Sequence, residues 1–524
     1  MCLLLAITGF FLVANSAYAQ KINWGETNEA KSSKYRPKIL GEDEDNIYTV
    51  ASINKDVYIE RFDKKKKKEQ FSQKIEFPKI NGNKTFYEGI NFIDGKFLLF
   101  VSYFDKKKDM SVIFAYTLSG KDGKKIGKDV EVFNIPVEKK KRSGTFYFFR
   151  SEDRTKIVVN HVAYYKKQKE VKDKYKLLDT DLNVLVERED VTKNSEKRDY
   201  TTQNYILDND GSIYYMKNYN DGRKHIVSYE ANRSYEKWEE AIDTKKIGLG
   251  PKDFITNINF IINRNNDLVI TGYYNKEKTL EGCFFMKINN QSKEIEFAKI
   301  NIFDKKFKDQ FKSDKQLEKG KDVKMYNVFR SVDILTKKDG GVVLCGEFYQ
   351  HTEYYHNGRF VGERFHYGDM VVLNMDGNGV LSWAHRIPKK QIYHYNFRSY
   401  PLVIGSFGVR LFFFPTIRTT DYFSYLAGID NEKAYIMFND NPKNSVVQKD
   451  NEQAKALRNL DKAAVTLYSI NLETGKKTEK LFTGAKDYEI TLKPKVSYQK
   501  DQDSEIISFG MKKKKFKYGN ISLL

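Results

Sequence analysis

One phrase constrains this chain more than any other feature: "GDMVVLNMDGNGVLSWAHRI", residues 368–387. It reads as an apolar strand, an Asp-Gly-Asn-Gly turn and a second strand carrying Trp383. Just upstream stands "KKDGGVVLCGEFYQ" (337–350), so the full unit is Asp-Gly-Gly, apolar strand, hairpin, apolar strand, turn and Trp strand. Worn copies keep that order. "IDGKFLLFVSYF" (93–104) leads to "SVIFAYTLSGKDGKKIG" (111–127), "NDGSIYYMKNY" (209–219) to "HIVSYE" (225–230), and "NNDLVITGYYN" (265–275) to "GCFFMKINNQSKEIEFAKI" (282–300). Looser copies open at "DNIYTVASI" (45–53), "DRTKIVVNHVAYY" (153–165), "NEKAYIMFND" (431–440) and "DSEIISFGM" (503–511). A unit of three or four short strands cannot bury both its faces alone, whereas units stacked around an axis can.

The repeat resembles the secreted bacterial β-propeller repeats of the form D-G-G-x-apolar-apolar-x-G followed by apolar-D-x-x-G-x-apolar-x-W. That resemblance implies a fold and not a function. The expected architecture is all-β, a β-propeller of seven or eight blades. The chain ends support a closed ring. The last unit, "SEIISFGMKKKKFKYGNISLL", stops after two strands, and an orphan Trp strand, "KINWGE" (21–26), stands near the other end. If Trp24 serves the last unit as Trp383 serves its own, the N-terminal strand completes the ring and protects a sheet edge.

Composition agrees with strands. Apolar residues make up 40% of the chain, with 35 Tyr and 37 Phe, while only 9 Pro are present to mark linkers. Leu3 to Ala14 is an apolar run of signal-peptide length, followed by the small-residue site Ala17-Tyr18-Ala19. The expected organisation is therefore a signal peptide at 1–19 and one propeller domain at 20–524, with insertions around 350–368, 402–418 and 440–464. The protein is expected to be exported to the periplasm or the outer surface, with no transmembrane span after cleavage. Past the signal only Cys283 and Cys345 remain, both in apolar runs, which suits buried free thiols better than a disulfide framework. The stretch "NEQAKALRNLDKAA" (451–464) has helical spacing of Ala454, Leu457, Leu460 and Ala464.

The net charge is +21. Lysines gather at one place in the repeat, the turn after each quoted first strand, as at Lys106, Lys107, Lys166, Lys167, Lys513 and Lys514. In a propeller, equivalent turns emerge on one face, so that face should attract anionic partners. For an exported protein these are an acidic glycan, an anionic lipid surface or an envelope protein, with nucleic acid not expected. The five lysines at 64–68 fall in a different turn.

The second candidate surface is the long hairpin at 350–368, turned by Asn357-Gly358. It offers Tyr354, Tyr355, His356, Arg359 and Phe360 to a partner. His351, His356, His366 and Asp369 are its possible metal ligands, though without a standard zinc spacing; His351 and His366 are expected to pair near the hairpin base. Acidic turns at 42–45, 179–183 and 208–211 look faintly like calcium loops but lack the twelve-residue pattern. No nucleophile elbow, zinc-protease helix, Walker loop or dinucleotide fingerprint is present. No cofactor is expected. The reading is a non-enzymatic binding or scaffolding protein of the cell envelope. The alternative is a glycan-processing enzyme with carboxylates in the central funnel, since such pairs leave no local motif.

Overall fold

The computed structural model describes residues 22–193, 200–220, 225–233, 236–242, 253–277, 279–292, 294–320, 325, 329–396, 419–444, 451–482, 490–501 and 504–521. The expected signal peptide and the segment 402–418 lie outside the described residues.

The fold is all-β, of propeller type. Among the described residues, eight antiparallel sheets of four or five strands follow one another along the chain, with a small two-stranded ribbon, Lys79–Ile80 and Asn83–Lys84, between the first two. Sheet I spans residues 36–74, II 86–136, III 145–193, IV 200–242, V 253–302, VI 329–387 and VII 426–482. Sheet VIII takes three strands from 491–521 and its fourth, Ile22–Trp24, from the opposite end of the chain. Each apolar strand that opens a quoted repeat, expected to be the first of its unit, is instead the second strand of its sheet. A less patterned strand precedes it and lies against the first strands of the neighbouring sheets.

The second strands read as continuous apolar runs because both their faces are buried. Along Lys96–Asp105, Phe97, Leu99 and Val101 enter the core shared with sheet I, while Leu98 and Phe100 enter the core shared with sheet III. Along Val342–His356, Val342 and Leu344 face sheet V while Val343 and Cys345 face sheet VII. The period of two in side-chain direction produces this division.

Eight apolar clusters result, one in each seam between successive sheets. The eighth joins sheet VIII, through Phe509 and Tyr518, to sheet I, through Ile39 and Phe62. The ring therefore closes by packing as well as by hydrogen bonds. Trp24 pairs with Gly519, and a Cβ on that glycine would meet the Trp24 ring at 2.7 Å. Trp383 holds the matching fourth-strand place in sheet VI and donates its indole N–H to Leu472 O of sheet VII's third turn.

The helix expected at 451–464 does not form. The chain is extended there, Leu457 makes backbone hydrogen bonds with Lys390 O and Ile392 N–H, and only Leu460–Lys462 makes a 3-10 turn. Tertiary hydrogen bonds and burial of Ala454 and Leu457 override the local helical spacing. Two short helices that follow sheet V, Lys305–Asp309 and Asp314–Glu318, were not foreseen. Both cysteines are free and buried.

Candidate functional site: one face of the ring

Turns between second and third strands emerge on the same side, because the sheets repeat one strand order around the axis. On that side lie the exposed Lys513 and Lys514 of sheet VIII, Lys106 and Lys107 of sheet II, and Lys166 and Lys167 of sheet III. Sheet I, between VIII and II, adds the exposed Lys55 from its equivalent turn. These side chains sit at tight two- to four-residue turns whose strands are fixed on both sides. The lysines at 64–68 occupy a third-to-fourth strand turn, on the other side; Lys67 is buried there, and Lys66 O accepts from the N–H of Glu26.

Diagonally across the ring, sheet VI sends its second and third strands far past the sheet. Pairing with the first strand ends at Phe348 and pairing with the fourth at Met370, but the hairpin continues to His356↔Arg359. The eight residues that follow Phe348, up to His356, at about 3.3 Å each, carry the ribbon roughly 25 Å past its pairing with the first strand and about 20 Å beyond the short turns of the other sheets. A further strand, Gln391–Asn396, pairs with Gly362–Tyr367 and makes the extension three-stranded. An isolated two-stranded ribbon is marginal in water, and the third strand removes that weakness.

Stacked rings stiffen the extension further. His351 lies on Phe365 at 4.5 Å, Phe365 on Tyr393 at 6.2 Å, and Tyr367 on Phe423 at 5.9 Å, the last two rings only 7° apart. These rings build the tower, and the recognition surface is its tip. Tyr354 is 40%, Tyr355 61% and Val361 37% exposed, and His356 is exposed beside them. Phe360 packs edge-on against Tyr355; the Arg359 side chain lies outside the described residues. Asn357 and Gly358 both take positive φ, 47° and 72°, as a type I′ turn requires.

The metal candidates do not converge. His351 stands opposite Phe365 and His366 opposite Gln350, a register one residue away from pairing the two histidines. A shift of one residue puts them on opposite faces. His351 Nε2 is 2.8 Å from Glu363, and His366 packs on Phe348. Burial, with help from Arg364, pushes His366 down to about 4. Asp369 accepts from Arg386 Nε at 2.9 Å and from the Lys389 N–H. Among the described residues no group of three or more His, Cys, Asp or Glu is placed to hold a metal ion. The acidic turns are capped by backbone: Asp43 accepts from the N–H groups of Asp45 and Asn46, and Asp179 from those of Asp181 and Asn183.

At the foot of the tower lies a buried polar network that sequence reasoning missed. Glu347 and Lys389, both fully buried, form an ion pair. Ser424 Oγ donates to the same carboxylate at 2.7 Å, and Gln391 receives the Ser424 N–H at 2.7 Å while donating to Asn439 O at 2.6 Å. Burial pushes the Lys389 ammonium below its ordinary pKa, against the pull of Glu347. Ser424 holds φ +74°, a strained value for a non-glycine residue, and the network pins it there. The only sequence signal was a lone Glu inside the apolar run "VVLCGEF".

No protein-family model matches the chain, and no curated protein sequence matches it. Among solved structures, the chain is similar to the WD40 domain of SCAP from fission yeast, at 8% identity over 95% of this chain and 98% of that one, with a TM-score of 0.37. It is similar to the Dos1 propeller at 7% identity over 96% of each, TM-score 0.42. It is also similar to prolyl oligopeptidase B from Galerina marginata, at 12% identity over 93% of this chain and 55% of that one, TM-score 0.35. The propeller-type fold of this chain rests on its own strand order, and these likenesses carry no function to it.

Proposed function

We propose that this is an exported, non-enzymatic binding or scaffolding propeller of the cell envelope, which holds an anionic partner against its lysine-bearing face. One observation carries the reading: six exposed lysines, Lys106, Lys107, Lys166, Lys167, Lys513 and Lys514, issue on one face from sheets VIII, II and III, which with sheet I form a consecutive arc. Each sits on a short turn between anchored strands, so presenting the charges costs little ordering on binding. An acidic glycan, an anionic lipid surface or an acidic envelope protein would each meet that arc. Among the described residues no helix is long and apolar enough to cross a membrane.

The test is co-sedimentation of residues 20–524 with fractionated envelope, using wild type and a variant with all six lysines changed to Ala. Wild-type binding should fall steeply between low salt and about 0.5 M, where exposed charges are screened within a few ångströms. The variant should bind weakly at every salt concentration. Equal binding by the two proteins would remove the lysine face from consideration.

A further inference from the structure

The lysine arc and the hairpin tip emerge on the same side of the ring, since both are second-to-third strand turns. They differ in chemistry. The arc is charged and low; the tip is aromatic and aliphatic and stands about 20 Å higher. We propose that the anionic partner is a lipid bilayer, and that Tyr354, Tyr355 and Val361 form an interfacial anchor which enters its headgroup layer while the lysines meet its negative charge. This inference rests on the reading of the lysine face given above.

Three observations support a bilayer over the other anionic partners. The first is span: arc and tip share one face but lie across the ring from each other, and a flat charged surface that tilts toward the arc reaches both at once. A single glycan chain or a small acidic protein covers one of them. The second is the kind of exposed side chain. Tyrosine joins an apolar ring to a polar hydroxyl, which suits a boundary that is oily on one side and wet on the other. The third is stiffness. The stacked rings and the strand Gln391–Asn396 hold the tip in place, so little freedom is lost on insertion. Of the hairpin's carboxylates, Glu363 is engaged by His351 and Glu353 accepts the Tyr355 hydroxyl at 2.6 Å.

The experiment uses residues 20–524 and three probes: vesicles of phosphatidylglycerol mixed with phosphatidylcholine, vesicles of phosphatidylcholine alone, and soluble heparin as an acidic polysaccharide. The tip variant carries Tyr354→Ser, Tyr355→Ser and Val361→Ser, all at exposed positions, so its fold is retained and its melting curve checks this. Wild type should bind the anionic vesicles, and the tip variant about tenfold more weakly, as loss of three partly exposed apolar groups predicts. A separate Tyr355→Trp protein should shift its emission to the blue on anionic vesicles and be quenched by brominated acyl chains.

The outcomes separate the two readings. A tip variant that binds anionic vesicles as wild type does, with no quenching of the Tyr355→Trp protein, overturns the anchor and leaves the lysine face standing. Binding to heparin without binding to vesicles overturns the lipid partner and leaves an anionic one. Failure with every probe brings down both.

Discussion

Two seams of the ring each bury a glutamate, and they treat it in opposite ways. In the seam between sheets VI and VII, Glu347 is met by the ammonium of Lys389 and the hydroxyl of Ser424. In the closing seam between sheets VIII and I, Glu60 is met by hydroxyls only. Tyr35 donates to it at 2.5 Å, Thr49 at 2.9 Å and Ser72 at 3.2 Å, with Tyr518 of sheet VIII packed alongside. Hydroxyls stabilise a carboxylate less than a cation does, so burial dominates and pushes Glu60 up to about 7, with Glu69 adding to the effect. The first seam is held by a fixed charge pair. The second is held by a carboxyl that prefers its proton, which makes the closure of the ring sensitive to pH.

The largest effect expected from breaking this contrast is at Lys389. Lys389→Met leaves Glu347 buried without its cation, a loss of about 3–5 kcal/mol for such a pair. Chemical denaturation should show it, and adding Glu347→Leu should restore most of the stability; a single variant as stable as wild type would mean that the pair does not hold the seam.

Next comes the pH response of the closing seam. Glu60 has a folded pKa near 7 against an ordinary value of 4.5. Its folded state therefore binds the proton more tightly than the unfolded chain does. The stabilisation is fully present below about 4.5 and is lost as pH rises through 7, a total of about 3 kcal/mol. Glu60→Gln mimics the neutral form and should flatten this part of the stability curve. A variant with the wild-type slope would place the titration elsewhere.

A smaller effect is expected at the strand that completes the same seam's sheet. Trp24→Ala should cost about 2 kcal/mol, because the ring is only partly buried against Gly519. Removing residues 20–30 should lower the melting temperature of the whole molecule, since it exposes a sheet edge and removes Ile22 from the seam between VII and VIII. An unchanged melt after that deletion would show that the ring does not depend on its N-terminal strand.

Much of the fold was legible because it rests on local period. The eight apolar strands quoted from the sequence coincide with eight second strands, and the Asp-Gly and Asn-Gly turns sit between strands as their backbone preference requires. The first strands were not legible, because they are short or broken by bulges such as that at Ile39/Gly41. The candidate surface was legible only in outline. Tyr354 and Tyr355 stand exposed at the hairpin tip, but nothing local revealed the strand Gln391–Asn396 that braces them. The helix expected at 451–464 failed for a related reason. Its residues satisfy a helical spacing, yet Leu457 gains more from bridging to Gln391 across the fold.

By itself, then, the sequence determined the repeat, the all-β class, the positions of the lysine turns and the closing role of Trp24. Each depends on residues within a few positions of one another, or on a period that burial imposes along the whole chain. Only the tertiary structure decided the pairing of Glu347 with Lys389, the hydroxyl cage of Glu60 and the register that parts His351 from His366. These contacts join residues far apart in the chain, or hinge on one residue of register. For the two glutamates, burial sets how strongly their partners matter, and that burial exists only once the seams have formed.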